Sequence, residues 1–104
     1  QNPARGYDQL LVKALVSATG VFPIGTLVIL DTYELAVVAK THPDPEQIHL
    51  PTVRIISDPM GVPLADPVDW DLSILDPATG EPTRTILKTT DPQRYGIRVA
   101  DYLI

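Results

Sequence analysis

The eleven prolines of this chain divide it into short elements. Proline cannot donate a backbone hydrogen bond, and it biases the residue before it toward an extended conformation. Most of these prolines stand at the borders of short apolar and β-branched runs, where strands begin and end. We therefore expect short strands joined by turns, with prolines that also discourage edge-to-edge association.

Five runs of the sequence have the composition of strands. They cover residues 26–30, 35–39, 52–57, 68–72 and 85–89. The second run is apolar at almost every position, so we expect a central strand that meets protein on both faces. In the fourth run Trp70 alternates with Asp69 and Asp71, which predicts one buried and one solvated face. Val68 and Leu72 share the predicted buried face with Trp70.

One helix is predicted ahead of these strands. Apolar residues recur every 3.6 positions over residues 8–19, Asp8 can cap the start, and Gly20 suits the end. We expect residues 1–20 to be a linker and helix that end a preceding helical domain, because the chain opens at Gln1 rather than Met. Residues 21–104 are expected to form a small, mainly β (α+β) domain, either an SH3-like barrel or a strongly bent five-stranded antiparallel sheet.

The charge and composition argue against several classes of partner. A net charge of −5 with scattered Lys and Arg disfavours nucleic acid and anionic lipid surfaces. No apolar run approaches the roughly 18 residues of a membrane span. The absence of cysteine rules out disulfides and thiolate chemistry and fits a reducing compartment, so a cytoplasmic location is expected.

Two groups of polar residues have the composition of candidate sites. His42 and His49 lie in a proline-rich loop with Asp44 and Glu46 between them, a ligand set that could hold a divalent cation. The prolines favour an extended path over a compact cage, so a solvated loop is the better interpretation.

The acidic group Asp66, Asp69 and Asp71 could serve acid–base chemistry or calcium binding. Its alternation with apolar residues instead indicates the solvated face of a strand. No serine, Ser73 included, has a nucleophile-elbow pattern or a nearby His. We therefore predict no catalytic, cofactor-binding or metal-binding residue in this chain.

Two stretches carry motifs in a recognisable order. The first reads V-F-P-I-G-T-L-V over residues 21–28, then Leu30 and L-A-V-V over residues 35–38. The second has D-P at 91–92, Y-G-I at 95–97, and A-D-Y-L at 100–103. They resemble the "G-V-Y-P-x-G-T-x-V-x-L … G-x-V" and "D-P … Y-G-I … D-Y-L" segments that follow the HD-GYP domain of many bacterial signalling phosphodiesterases. The turn over residues 31–34 departs from the family, which often has a glycine there.

The resemblance implies an accessory role in a larger protein. Proteins of this kind hydrolyse a cyclic dinucleotide such as cyclic-di-GMP, or a related phosphoester, at a metal site of His and Asp residues. This chain has neither a His-Asp pair nor a Gly-Tyr-Pro triplet, so no catalytic residue carries over. The implied partner is a preceding HD-type catalytic domain of the same polypeptide.

Three functions follow from these observations. The leading one is a non-catalytic C-terminal domain that supports packing on an HD-type phosphohydrolase domain or self-association as a homo-oligomer. The second is an independent SH3-like module that binds a partner protein, and the third, least favoured, is a small enzyme using the acidic group. The candidate interface residues are Leu11, Leu15, Phe22, Tyr33 and Tyr95.

Overall fold

The strand-like runs form one antiparallel sheet in the computed structural model, which describes residues 21–103. Strand β1 spans Leu27–Leu30, β2 Leu35–Lys40, β3 Thr52–Ser57, β4 Pro63–Asp71 and β5 Ile86–Thr89. The strand order is β4-β3-β2-β1-β5, and the sheet is open, with β4 and β5 at its edges. The predictions of a mainly β fold and a five-stranded antiparallel sheet are confirmed.

Strand β2 is the central strand and is buried on both faces, as its apolar sequence predicts. Because successive side chains point to opposite faces, its residues divide between two hydrophobic cores. Core A consists of Val28, Leu30, Ala36, Val38, Val53, Ile55 and Leu72, and core B of Leu27, Leu35, Val37 and Ile56.

The connection over residues 72–85 runs from one edge of the sheet to the other on the side of core A. Leu72 is buried in core A directly after β4, and Ile86 packs against the same core at the start of β5. Strand β5 then pairs antiparallel with β1, Val28 opposite Thr89. This return brings the last strand back to the first.

Strand β4 corrects one prediction about buried faces. Val68, expected to be buried, is 48% exposed, and Trp70 is only half-buried against core A. An edge strand has no neighbour on its outer side, so its inward-facing side chains are only partly covered. The strand also begins earlier than predicted, at Pro63, and an edge position tolerates this proline and Pro67.

The C-terminal segment covers core B. Its 3-10 helices span Pro92–Tyr95 and Val99–Tyr102, and Ile97 and Val99 pack on core B. The Asp91 carboxylate caps the first of these helices, because it accepts a hydrogen bond from the Gln93 backbone N–H at 2.9 Å. Another 3-10 helix, Pro45–Gln47, lies in the loop between β2 and β3.

The predicted helix over residues 8–19 and the predicted boundary after residue 20 lie outside the described residues. Within residues 21–103, no helix has the length and apolar character needed to cross a membrane.

Candidate functional site

The turn between β1 and β2 places an exposed tyrosine at its tip. The Tyr33 N–H donates to the Leu30 carbonyl at 2.8 Å, and the Leu30 N–H donates to the Glu34 carbonyl at 3.0 Å. Tyr33 has φ of 70° and its side chain is 68% exposed. The left-handed position that ends such a turn normally holds glycine, since a side chain there costs about 1–2 kcal/mol.

The residue after Tyr33 is held by an ion pair. Arg84 Nε lies 2.8 Å from Glu34 Oε1, and the Thr32 hydroxyl donates to the same oxygen at 2.5 Å. Burial alone would raise the pKa of Glu34, but the hydrogen bonds from Arg84 and Thr32 and the charge of Arg84 together outweigh it. The pKa of Glu34 is therefore below its ordinary value, and the carboxylate is ionised at neutral pH.

The same arginine also contacts β4, the edge strand that carries Trp70. The Arg84 guanidinium lies 4.5 Å from the ring centre of Trp70, a cation–π contact. The Trp70 indole N–H donates to the Thr83 hydroxyl at 3.1 Å. These contacts hold the connection over residues 72–85 against β4.

The turn between β3 and β4 is organised by Asp58. One carboxylate oxygen accepts from the backbone N–H groups of Met60 and Val62, at 2.8 and 3.0 Å. Gly61 has φ of 84°, which glycine adopts without strain. The turn therefore has a fixed backbone, while the Met60 side chain is 86% exposed and that of Val62 57% exposed.

Ser57 ties the two turns together at one end of the sheet. Its hydroxyl accepts from the Leu35 N–H at 3.0 Å and donates to the Asp58 carbonyl at 3.0 Å. We call the resulting surface the turn end, which comprises residues 31–34, residues 58–62 and Tyr95. Its exposed apolar side chains are Tyr33, Met60, Val62 and Tyr95.

A small cleft opens at the turn end beside core B. Its volume is about 90 Å³, and Leu35, Ile56 and Ile97 form its apolar lining. Tyr95 and Tyr102 line it from the C-terminal segment. The remaining lining residues are Ser57, Gly61 and Pro63 from the ends of β3 and β4.

Arg54 fixes the C-terminal segment that forms one wall of this cleft. Its Nε and Nη2 donate to the Asp69 carboxylate at 2.6 and 3.1 Å, and its Nη1 donates to the Tyr102 carbonyl. The hydrogen bonds from Arg54 hold the pKa of Asp69 below its ordinary value against a smaller opposing effect of burial. Asp69, on the predicted solvated face of β4, is thus exposed but forms an ion pair with Arg54.

A hydrogen-bonded group joins His42 to Ser73 and Asp71, although His42 is far from the other two in sequence. The Asp44 N–H donates to His42 Nδ1 at 3.0 Å, so Nε2 carries the proton and donates to the Ser73 hydroxyl at 3.2 Å. Ser73 donates to Asp71 at 2.6 Å, and this bond is the main reason that the pKa of Asp71 is lowered.

The prediction that Ser73 has no nearby His is therefore wrong, because the fold brings His42 next to it. A nucleophilic serine gives its proton to an unprotonated imidazole nitrogen. Here the imidazole donates to the serine, and the proton of Ser73 points to a carboxylate. The arrangement is the reverse of a catalytic one, and it ties the loop after β2 to the end of β4.

The structure does not gather the residues considered as metal ligands. Among residues 21–103, no three His, Cys, Asp or Glu side chains are grouped so that they could hold an ion. His42 contacts Ser73 instead, and Asp69 contacts Arg54.

The candidate interface residues lie in different places. Leu11 and Leu15 fall outside the described residues. Phe22 packs against core A, whereas Tyr33 and Tyr95 both belong to the turn end. Met60, Val62 and Tyr102 were not predicted from the sequence, although an apolar residue between Pro59 and Gly61 is a signal of an exposed residue at the tip of a turn.

Comparisons with models of protein families, with curated proteins and with solved structures find no match for this chain. The resemblance to the domain that follows HD-GYP domains remains a prediction.

Proposed function

We propose that this chain is a non-catalytic interaction domain that contacts another polypeptide through the turn end. The observation that carries the proposal is that one end of the sheet combines two turns bearing the exposed residues Tyr33, Met60 and Val62 with a cleft lined by the exposed Tyr95. Apolar residues scattered singly are ordinary on a protein surface, but a cluster beside a concave site is typical of an interface.

The backbone of the turn end supports this role. Asp58 fixes the β3–β4 turn and Ser57 joins it to Leu35, so the exposed side chains project from an ordered frame. A preorganised surface loses less conformational entropy on binding. Strain retained at exposed Tyr33 also fits a residue whose side chain has a use other than stability.

The resemblance supplies the proposed setting. In a cytoplasmic bacterial signalling protein, this domain would follow an HD-GYP-type or related HD phosphohydrolase domain and support its packing or self-association, with no cofactor of its own. The return of β5 to β1 supports an opened SH3-like barrel as the fold class.

An independent SH3-like module is the second candidate. Tyr95, Tyr102 and Pro63 line the cleft, and aromatic-lined grooves of SH3-like domains bind extended proline-rich segments. Binding of such a peptide by the 104-residue chain alone would favour this candidate.

Hydrogen exchange tests the leading proposal. It is measured on a polypeptide that contains both the proposed HD-type domain and this chain, and on the 104-residue chain alone. The backbone amides of residues 31–35, of Asp58 and of residues 60–62 should exchange more slowly in that polypeptide than in the 104-residue chain, because the turn end is covered there. Residues 86–89 at the β5 edge serve as the internal reference. Equal exchange of the turn end in both proteins would contradict the proposal.

A further inference from the structure

The loop between β2 and β3 is attached to the end of β4 through one histidine ring. His42 Nδ1 accepts a hydrogen bond from the Asp44 backbone N–H at 3.0 Å, and Nε2 donates to the Ser73 hydroxyl at 3.2 Å. An imidazole nitrogen accepts a hydrogen bond only while it carries no proton. The bond from Asp44 therefore exists only while the ring is neutral.

The two nitrogens of this ring respond differently to acid. Histidine gains its second proton in the range of about pH 5 to 8, and both nitrogens are then donors. Nε2 of His42 keeps its bond to Ser73, whereas a proton on Nδ1 meets the Asp44 N–H. Two donors cannot form a hydrogen bond with each other, so the Asp44 N–H has to leave the ring.

The charge of Asp71 favours a protonated ring that stays at the end of β4. Its carboxylate accepts from the Ser73 hydroxyl at 2.6 Å, and Ser73 in turn contacts His42. This hydrogen bond keeps the pKa of Asp71 below its ordinary value, and the charge of His42 lowers the pKa further. The carboxylate is therefore ionised over the range in which histidine titrates.

Other titratable groups lie in the same loop and on the strands beside it. They are Lys40, Asp44, Glu46, His49 and Arg54. The Asp44 carboxylate accepts from the Glu46 N–H at 2.9 Å, while the charges of Lys40 and Arg54 act on Asp69. Asp71 is thus the charge that the contacts of Ser73 connect to the ring.

We propose that His42 is a pH-sensitive switch, whose protonation releases the Asp44 N–H and loosens the loop over residues 43–49 while the ring stays at the end of β4. Linked turns follow the bond that is lost. The Gln47 N–H donates to the Asp44 carbonyl, and the Leu50 N–H donates to the Gln47 carbonyl, both at 2.9 Å. Because Leu50 packs against core A, acid loosens the cover of this core.

Solvent exchange of the Asp44 amide tests the switch in the 104-residue chain. Its protection, the intrinsic exchange rate divided by the measured rate, should fall about fivefold between about pH 8 and pH 5, the effect of one lost hydrogen bond. The Val38 amide, which donates to the Thr26 carbonyl, should keep its protection and so exclude general unfolding. The ¹⁵N shifts of the His42 ring report its protonation in the same samples.

Two results would overturn the inference. One is a ring that stays neutral down to about pH 5. The other is an Asp44 amide whose protection does not change although the ring gains its proton.

Two substitutions assign the effect to one histidine. His49 lies in the same loop and is exposed, so His49→Gln should leave the fall in Asp44 protection unchanged. His42→Gln removes the titrating ring and should make the protection independent of pH. A fall that survives His42→Gln would contradict the switch. None of these results bears on the proposed function, because the loop and the turn end lie at opposite ends of the sheet.

Discussion

Tyr33 occupies a backbone conformation that favours glycine, and the cost of that choice can be measured. Relief of the left-handed strain stabilises the folded state by about 1–2 kcal/mol. The greater flexibility of glycine in the unfolded chain offsets about 0.5–1 kcal/mol of this gain. We therefore expect Tyr33→Gly to raise the free energy of unfolding by about 0.5–1 kcal/mol in urea titrations. Tyr33→Ala removes the same ring but keeps the strain, so equal stabilisation by both variants would show that the conformation carries no cost.

The ion pair of Glu34 makes stability depend on pH. Because the folded pKa of Glu34 lies below its ordinary value of 4.5, ionised Glu34 stabilises the fold above the unfolded pKa. This contribution is lost as the pH falls through the folded pKa. Arg84→Met leaves the carboxylate without its ion pair, so we expect a loss of about 2 kcal/mol at neutral pH.

The loss caused by Arg84→Met should shrink well below pH 4.5, where Glu34 is protonated. The remainder reflects the lost stacking of Arg84 on Trp70. Urea unfolding at neutral and acidic pH separates the contribution of the Glu34 ion pair from that of the Trp70 contact. Arg98→Met is the control because its ion pair is exposed. A loss of the same size at every pH would contradict the role of Glu34.

The contacts of single residues were the hardest to predict. The left-handed conformation of Tyr33 runs against its own steric preference, and tertiary contacts around Glu34 hold it there. The pairing of His42 with Ser73 joins residues far apart in sequence, and only the alignment of β2, β3 and β4 brings them together. No local pattern reports such a contact.

At the scale of elements, Arg54 joins β3, β4 and the C-terminal segment. Arg54→Met should lower the free energy of unfolding by about 1 kcal/mol, since water can solvate the exposed Asp69 carboxylate but the part-buried Tyr102 carbonyl loses its donor. It should also speed amide exchange over residues 97–103, because the Tyr102 carbonyl loses its donor.

Arg98 provides the matched comparison for Arg54. It lies in the same segment and faces Asp101 at 3.9 Å in an exposed pair. Such pairs contribute about 0–1 kcal/mol, so Arg98→Met should be nearly silent. Similar exchange over residues 97–103 in both variants would mean that Arg54 does not anchor the segment.

Most strands were predictable because their information is local. The central position of β2 followed from an apolar run that leaves no solvated face, and β3 agrees in both bounds with its β-branched run. The first half of β4 was missed because Pro63 and Pro67 argue against a strand unless it is known to be an edge. The pairing of β5 with β1 was also missed, since it depends on where the chain returns rather than on local pattern.

At the scale of the whole molecule, we expect no turnover of cyclic dinucleotides or phosphoester model substrates by the purified 104-residue chain. The sequence lacks the His-Asp and Gly-Tyr-Pro motifs of the family it resembles. The hydroxyl–imidazole group of Ser73 and His42 is oriented against nucleophilic use. Assays with added divalent cations, matched to a preparation of His42→Gln, check this expectation. Metal-dependent turnover that His42→Gln abolishes would contradict it.

The pairing of β5 with β1 has a consequence for the order of folding. The hairpins β1–β2, β2–β3 and β3–β4 join segments that follow one another in sequence, whereas the pairing of Val28 with Thr89 spans a much longer stretch of sequence. Closing so long a loop is entropically costly and slow, so β5 docks late. Until it does, β1 is an uncovered edge with the sequence L-V-I-L, and such edges recruit other chains. The time that the connection over residues 72–85 needs to bring β5 to β1 therefore sets how long each newly folding molecule exposes the β1 edge to other chains.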